Sequence, residues 1–183
     1  MWKRMLCCGL VMLIAASAAW AQDDLESDPG YVNLDQFEEW FDEEPSIIVN
    51  IKGALLNLVA EASRFEDPEL ADMLRKLKAV QVRGFDLDWT DAKEVERRAN
   101  GFGKTLEAKG WDTVVRVRDD DEHVHVYVRI NDEVIAGMMV MVISSDDDET
   151  YFLNIVGEIN PEQIGRIGRK FDIEPLNGMT VDY

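Results

Sequence analysis

The chain has 183 residues, with 37 acidic side chains against 19 basic ones and a net charge of −18. That length suits one domain, or two small halves sharing a core, and an apolar share of 46% with regular periodicity argues against disorder. The acidic balance argues against docking on nucleic acid, which needs clustered cations, and against docking on anionic lipid heads.

Met1-Trp2-Lys3-Arg4 is a short positive start, and residues 5–16 are an apolar run broken only by Gly9. The run falls short of the ~20 residues that span a bilayer. Ala19 and Ala21 then give the A-x-A spacing read by a signal peptidase, and Gln22-Asp23-Asp24 opens a polar end. Residues 1–21 are therefore expected to be a signal peptide cleaved after Ala21. The product is exported, periplasmic or extracellular, with no stable membrane span. Cys7 and Cys8 are the only cysteines, so the mature chain would hold no disulfide, thiolate nucleophile or Cys metal ligand. Their place at the start of the apolar run does not suit lipid attachment.

Residues 22–30 are acidic and carry Pro29 and Gly30, which reads as a disordered linker. Asn33-Leu34-Asp35-Gln36 has a capping-box pattern, and Leu34, Phe37 and Phe41 recur at helical spacing until Pro45. The β-branched run 46–51 reads as a strand. Gly53 turns into a second helix with a stripe of Leu55, Leu58, Val59 and Ala62. Asp67-Pro68 caps a third helix, whose apolar face is Leu70, Met73, Leu74 and Leu77. Residues 80–87 alternate as a strand. Thr90-Asp91 opens a longer helix with Val95, Ala99, Phe102 and Leu106 on one side, and Gly110 is its C-cap signal. Gly101 and Gly103 weaken that helix unless a close neighbour or a local break accounts for them.

From Trp111 the hydrophobic period changes to two, giving strands over 112–118, 123–131, 133–143 and 150–158. Their short connections force antiparallel neighbours. The third is apolar on both faces, so it belongs in the sheet centre with cover on both sides. Its Met138, Met139 and Met141 read as core filler rather than a ligand groove. Asn160-Pro161-Glu162-Gln163 caps a last helix with Ile164, Ile167 and Phe171 inward and Arg166, Arg169 and Lys170 near its end.

The stretch 151–164, YFLNIVGEINPEQI, is an apolar strand ending "N-I-x-G-x-I" followed at once by a capped helix. This stretch, the strands before it and the strand-into-helix passage 46–54 resemble the bacterial envelope family catalogued as domain of unknown function 4252. The resemblance covers most of 31–173. It implies export, often as a lipoprotein, and for some members gene clusters that encode extracytoplasmic sigma factors and their antagonists. This chain departs from it by lacking a usable lipobox. No activity is established for the family, so no active-site residue carries over.

His123 and His125, the only histidines, share one face of a strand, a usable metal spacing. If Asp119 to Glu122 is the loop, Arg118 lies opposite His123, Arg116 opposite His125 and Val117 opposite Val124. Two arginines repel a divalent cation, and two imidazoles supply half a zinc shell. The pair is therefore read as a solvated polar face: His123, His125, Tyr127 and Arg129 outward, Val124, Val126, Val128 and Ile130 inward. The acidic runs 119–122 and 146–149 lack the glycine and spacing of a calcium loop and read as hairpin tips. Asp86-Leu87-Asp88 reads as turn chemistry. Neither a nucleophile elbow, nor a zinc-protease helix, nor a phosphate loop occurs.

The expected architecture is α+β, a mostly antiparallel sheet with a C-terminal four-strand meander plus strands near 47–51 and 80–87, and helices packed on it. The expected organisation is a signal peptide over 1–21, a linker over 22–30, a single α+β domain over 31–173 and a C-terminal tail over 174–183. No catalytic, cofactor-binding or metal role is assigned to any residue, and no cofactor is expected. The expected function is that of an exported, non-catalytic cell-envelope protein that binds or regulates a protein partner, with no nucleic acid involved. The alternative is a small-molecule or ion-binding module, with a hydrolase-type enzyme third.

Overall fold

A computed structural model describes residues 25–87, 92–132 and 134–160. The leader over 1–21, the cap at Thr90-Asp91, Asp88, the helix expected after Asn160 and the tail over 174–183 lie outside the described residues. The elements in chain order are a 3₁₀ helix (Leu34–Trp40), β1 (Ile47–Lys52), α1 (Gly53–Ser63), α2 (Pro68–Lys76), β2 (Leu77–Asp86), α3 (Ala92–Ala108), β3 (Trp111–Arg118), β4 (Glu122–Asn131), β5 (Val134–Ser144) and β6 (Glu149–Ile159).

All six strands form one antiparallel sheet in the order β1-β2-β6-β5-β4-β3. The meander β3 to β6 thus fills one side, and the earlier strands β2 and β1 return beside β6. Local signals start and stop these elements as their chemistry requires. Asn33 Oδ1 accepts from the Asp35 amide at 3.0 Å, and Asp67 Oδ1 accepts from the Leu70 amide at 3.0 Å ahead of Pro68. Gly110 stands just past α3 with φ +83, a left-handed conformation that only glycine adopts without steric cost.

Both faces of the sheet are apolar, and each carries its own layer. On one face Phe37 of the 3₁₀ helix stacks on Phe152 at 4.1 Å between centroids, and Phe41 stacks on Phe85 at 4.0 Å. α3 continues that layer with Val95, Ala99 and Leu106 in the same cluster as Tyr127, Met139, Met141 and Ile143. On the other face Leu56 of α1 joins Leu77, Val124, Val126, Val128, Met138, Val140 and Ile159. β5 is central and buried on both sides, and its three methionines are core.

The acidic stretch before the 3₁₀ helix is tied down from Leu25 onward, where composition suggested a linker. Residues 25–30 form turns, and Gly30 lies so close to Gly137 of β5 that a side chain on either would strike the other's backbone. Asn154, fully buried in β6, accepts from the Val32 amide at 3.0 Å and donates to the carbonyls of Gly30 at 3.0 Å and Met138 at 3.1 Å. A buried amide with three such partners is satisfied, so its burial fastens the entering chain rather than costing stability. Arg83, almost wholly buried, reaches Asp35 at 2.6 Å and pins the start of the 3₁₀ helix to β2.

The two glycines of α3 have different explanations. Gly103 faces the sheet, and a Cβ there would overlap the Tyr127 hydroxyl, so its bareness lets α3 approach β4. Nothing lies within 4 Å of a Cβ built on Gly101, and nothing in the structure explains that glycine. Two substitutions should therefore separate by sign. Gly101→Ala should stabilise the protein by about 0.5–1 kcal/mol through helix propensity. Gly103→Ala should destabilise it by about 1–3 kcal/mol through overpacking. Urea midpoints measure both; a stabilising Gly103→Ala would contradict the close approach.

Val140 pairs with Val126 and Leu153 and is 9% exposed. Val140→Asp should abolish cooperative folding, because a lone carboxylate would be buried without a partner. A soluble Val140→Asp protein with a sharp thermal transition would contradict the two-sided burial of β5.

Candidate functional site

Two regions combine accessible surface with distinctive chemistry. The first is a polar cleft where α3 crosses the β3–β4 hairpin. β3 and β4 pair in the expected register, with Arg118 opposite His123, Arg116 opposite His125 and Val117 opposite Val124. The expected solvated face is covered at its centre: His125 is 3% exposed and Tyr127 fully buried, because α3 packs there, while His123 and Arg129 stay half-buried. Alternation alone could not distinguish a face covered by a helix from one covered by water, since both polar sets alternate with the same valines. Ile130, expected inward, is 48% exposed, because the β4–β5 register shifts between Arg129 and Ile130.

Glu96 on α3 organises the open end of this cleft. Its carboxylate pairs with Arg118 and lies 3.8 Å from His123 Nε2. The Arg118 hydrogen bond holds the Glu96 carboxyl below the usual range, against the opposing effect of its burial. Further in, the Tyr127 hydroxyl lies 3.4 Å from both His125 Nδ1 and Arg116 Nη2, and Arg116 reaches Glu107 at 3.6 Å. The two acidic tips come together beside it, joined by the Ser145 amide donating to the Asp121 carbonyl at 2.8 Å. They border a cavity of about 300 Å³ with Lys93, Glu96 and His123 on its wall. Each tip is a solvated turn with internal bonds, such as Asp147 to Ser144 at 3.2 Å. Among the described residues no three His, Asp or Glu side chains converge as a metal shell would require. Leu87, just past β2, donates its amide to the Asp148 carbonyl at 2.6 Å and so extends the pairing of β2 with β6; the turn expected of the Asp-Leu-Asp run falls partly on Asp88, outside the described residues.

The second region is the outer flank of α1 with β1. Sequence periodicity put Leu55, Leu58, Val59 and Ala62 against the core. The helix instead buries Leu56 and Ala60, and leaves Leu55 48%, Leu58 66% and Val59 42% exposed. α1 is apolar nearly all round, so its spacing offered two stripes, and the sheet took the narrower. Phe65, just past the helix, is 83% exposed. On the opposite flank Glu61 bonds Arg75 of α2 at 2.8 Å. At about 100° per residue, Val59 stands about 200° round from Glu61, facing away from α2. Leu58, about 200° round from Leu56 and Ala60, points away from the sheet. α2 lies over β2 and β6 while α1 lies over β2 and β1, so Leu55 and Val59 look toward the β1 side of the sheet. There Ile47 and Ile48 are 40% and 60% exposed, and β1 is the edge strand.

The sequence that folds this way matches a recognised family. The description "Domain of unknown function (DUF4252)" matches residues 41–167, more than half of the chain. The chain belongs to that family, as the strand-and-cap pattern around 151–164 implied. No curated protein and no solved structure matches it.

Burial and Arg116, in that order, push the His125 imidazole below its ordinary value of 6.5, with His123 and Arg118 adding and Glu96 opposing. The folded state therefore binds this proton less readily than the unfolded chain does. His125 then contributes fully above pH 6.5, and that contribution is lost progressively as pH falls below 6.5 and through the lower value of the folded state. The wild-type urea midpoint should fall between pH 7.5 and pH 5.5 more steeply than that of His125→Gln. Identical slopes in the two proteins would contradict a buried neutral imidazole.

Proposed function

We propose that the protein is an exported, non-catalytic cell-envelope protein that binds or regulates a protein partner through the outer flank of α1. The observation that carries this reading is the exposed set Leu55, Leu58, Val59 and Phe65 on one short segment. Several exposed apolar side chains on one helix of an otherwise heavily charged chain are the ordinary signature of a contact surface. Export rests on the charged start, the short apolar run and the A-x-A spacing before Gln22.

The cavity beside Glu96 and His123 favours a second reading, a site for a small polar molecule. It has one histidine, one lysine and several carboxylates, but no activated nucleophile. The apolar flank offers more to a protein than this wet cleft offers to a substrate.

Cross-linked pull-downs from intact envelopes test the first reading. Wild-type protein should retain a partner that Leu58→Asp releases. The substitution lies on an exposed position, so its stability change should stay within about 0.5 kcal/mol. A partner held equally by both proteins would contradict the assignment of this face.

A further inference from the structure

The charge around the exposed flank narrows the kind of partner it fits. Residues 45–60 hold one Lys and no acid, although the chain carries 37 acidic residues. They build β1, the turn into α1 and most of α1 itself. The result is a largely apolar strip, its one charge the positive Lys52, on a strongly negative molecule. The strip has a charged end. Asp42, Glu43 and Glu44 lie exposed just before β1, and none joins an ion pair among the described residues. Asp86, also exposed, closes β2 two residues past the Gly84 that pairs with Ile47, so it stands at the same end.

β1 itself has few of the features that normally protect an edge. Its six residues, IIVNIK, include neither proline nor acid, its pairing with β2 runs without a bulge, and its only charge is the terminal Lys52. Apolar side chains project from both faces of the strand, with Ile47, Val49 and Ile51 on the α1 side, where Ile51 packs in the same cluster as Leu56, and Ile48 on the other. Such an edge offers backbone hydrogen bonds to an added strand and apolar contacts to its alternate side chains. A second copy brings its own negative charge to this contact, whereas a basic segment is drawn to the carboxylates at the Ile47 end.

Building on the partner-binding reading above, we infer that the partner docks as an extended segment, apolar at alternate positions and flanked by Lys or Arg. It adds to the β1 edge, packs on the outer flank of α1 and sets its basic end against Asp42, Glu43, Glu44 and Asp86. The test uses the full chain, isotope-labelled, and two synthetic probes: Lys-Lys-Val-Thr-Val-Thr-Val-Lys-Lys and the same core with Glu at all four ends. The Lys probe should bind about tenfold tighter at low salt, with the preference collapsing as salt screens it. Its amide shifts should centre on residues 47–52, and the double change Glu43→Lys, Glu44→Lys should erase the preference. Equal binding of the two probes, binding by neither, or shifts centred elsewhere would overturn the inference. So would a dimer in sedimentation that Ile48→Lys dissolves, because a second copy would then hold the edge. If the probes fail while Leu58→Asp still releases the envelope partner, the α1 reading stands and strand addition falls. If the Lys probe seats on β1 and Leu58→Asp releases nothing, strand addition stands and the α1 reading falls.

Discussion

Most of this structure follows from one constraint: the central strand β5 is apolar on both faces, and its neighbour β6 turns Phe152 to one face and Leu153 and Ile155 to the other. A strand of that kind cannot leave either side to water, so the sheet needs two covering layers rather than one. The chain supplies them from different segments. The 3₁₀ helix and α3 close one face around Phe152, Met139 and Met141. α1 contributes Leu56 to the other, around Val126, Met138 and Val140. The polar ties serve the same end. Asn154 is buried beside Gln81, whose side-chain amide donates to it at 3.5 Å, and its other bonds run to the backbone of β5 and of the entering chain, so the chain that carries the 3₁₀ helix is fixed where the cover must begin.

The cover is unevenly distributed, and function is read from that unevenness. Where α3 meets β4, packing is so close that Gly103 leaves no room for a methyl group under Tyr127. That closeness buries His125 and puts Tyr127 in the core, while Arg116 and Arg118 across the hairpin stay exposed. At the other edge the layer runs out. α1 places two small footholds, Leu56 and Ala60, on the sheet, and its wider apolar stripe remains in water beside an unprotected β1. Exposing Leu55, Leu58 and Val59 lowers solubility without adding to the packed core, which is the physical reason to look for a partner there.

How much of this was legible in the sequence depended on whether a signal was local. Asn33, Asp67-Pro68 and Gly110 announced element ends because caps act within a turn. The β3–β4 register followed from matching Val117 with Val124 across a short loop, and the central place of β5 from its apolar residues on both faces. The strand-and-cap pattern at 151–164 was enough to mark the family. What failed depended on a neighbour distant in sequence. His125 and Tyr127 alternate as an exposed face would, and α3 decides otherwise. Leu55 and Val59 recur as a buried face would, and the direction of approach of α1 decides otherwise. Gly103 was the available hint to the first, since a glycine mid-helix asks for a close neighbour. For the second the hint was that α1 has too many apolar residues for one stripe.

Hydrogen exchange on the intact protein tests the uneven cover most directly, because it reports opening free energy strand by strand. The central strands β5 and β6 should exchange only through global unfolding. β1 should exchange far faster, by local opening, and gain protection when a partner is bound. β1 amides protected to the level of β5 in the unbound monomer would contradict the account, because the edge would already be covered.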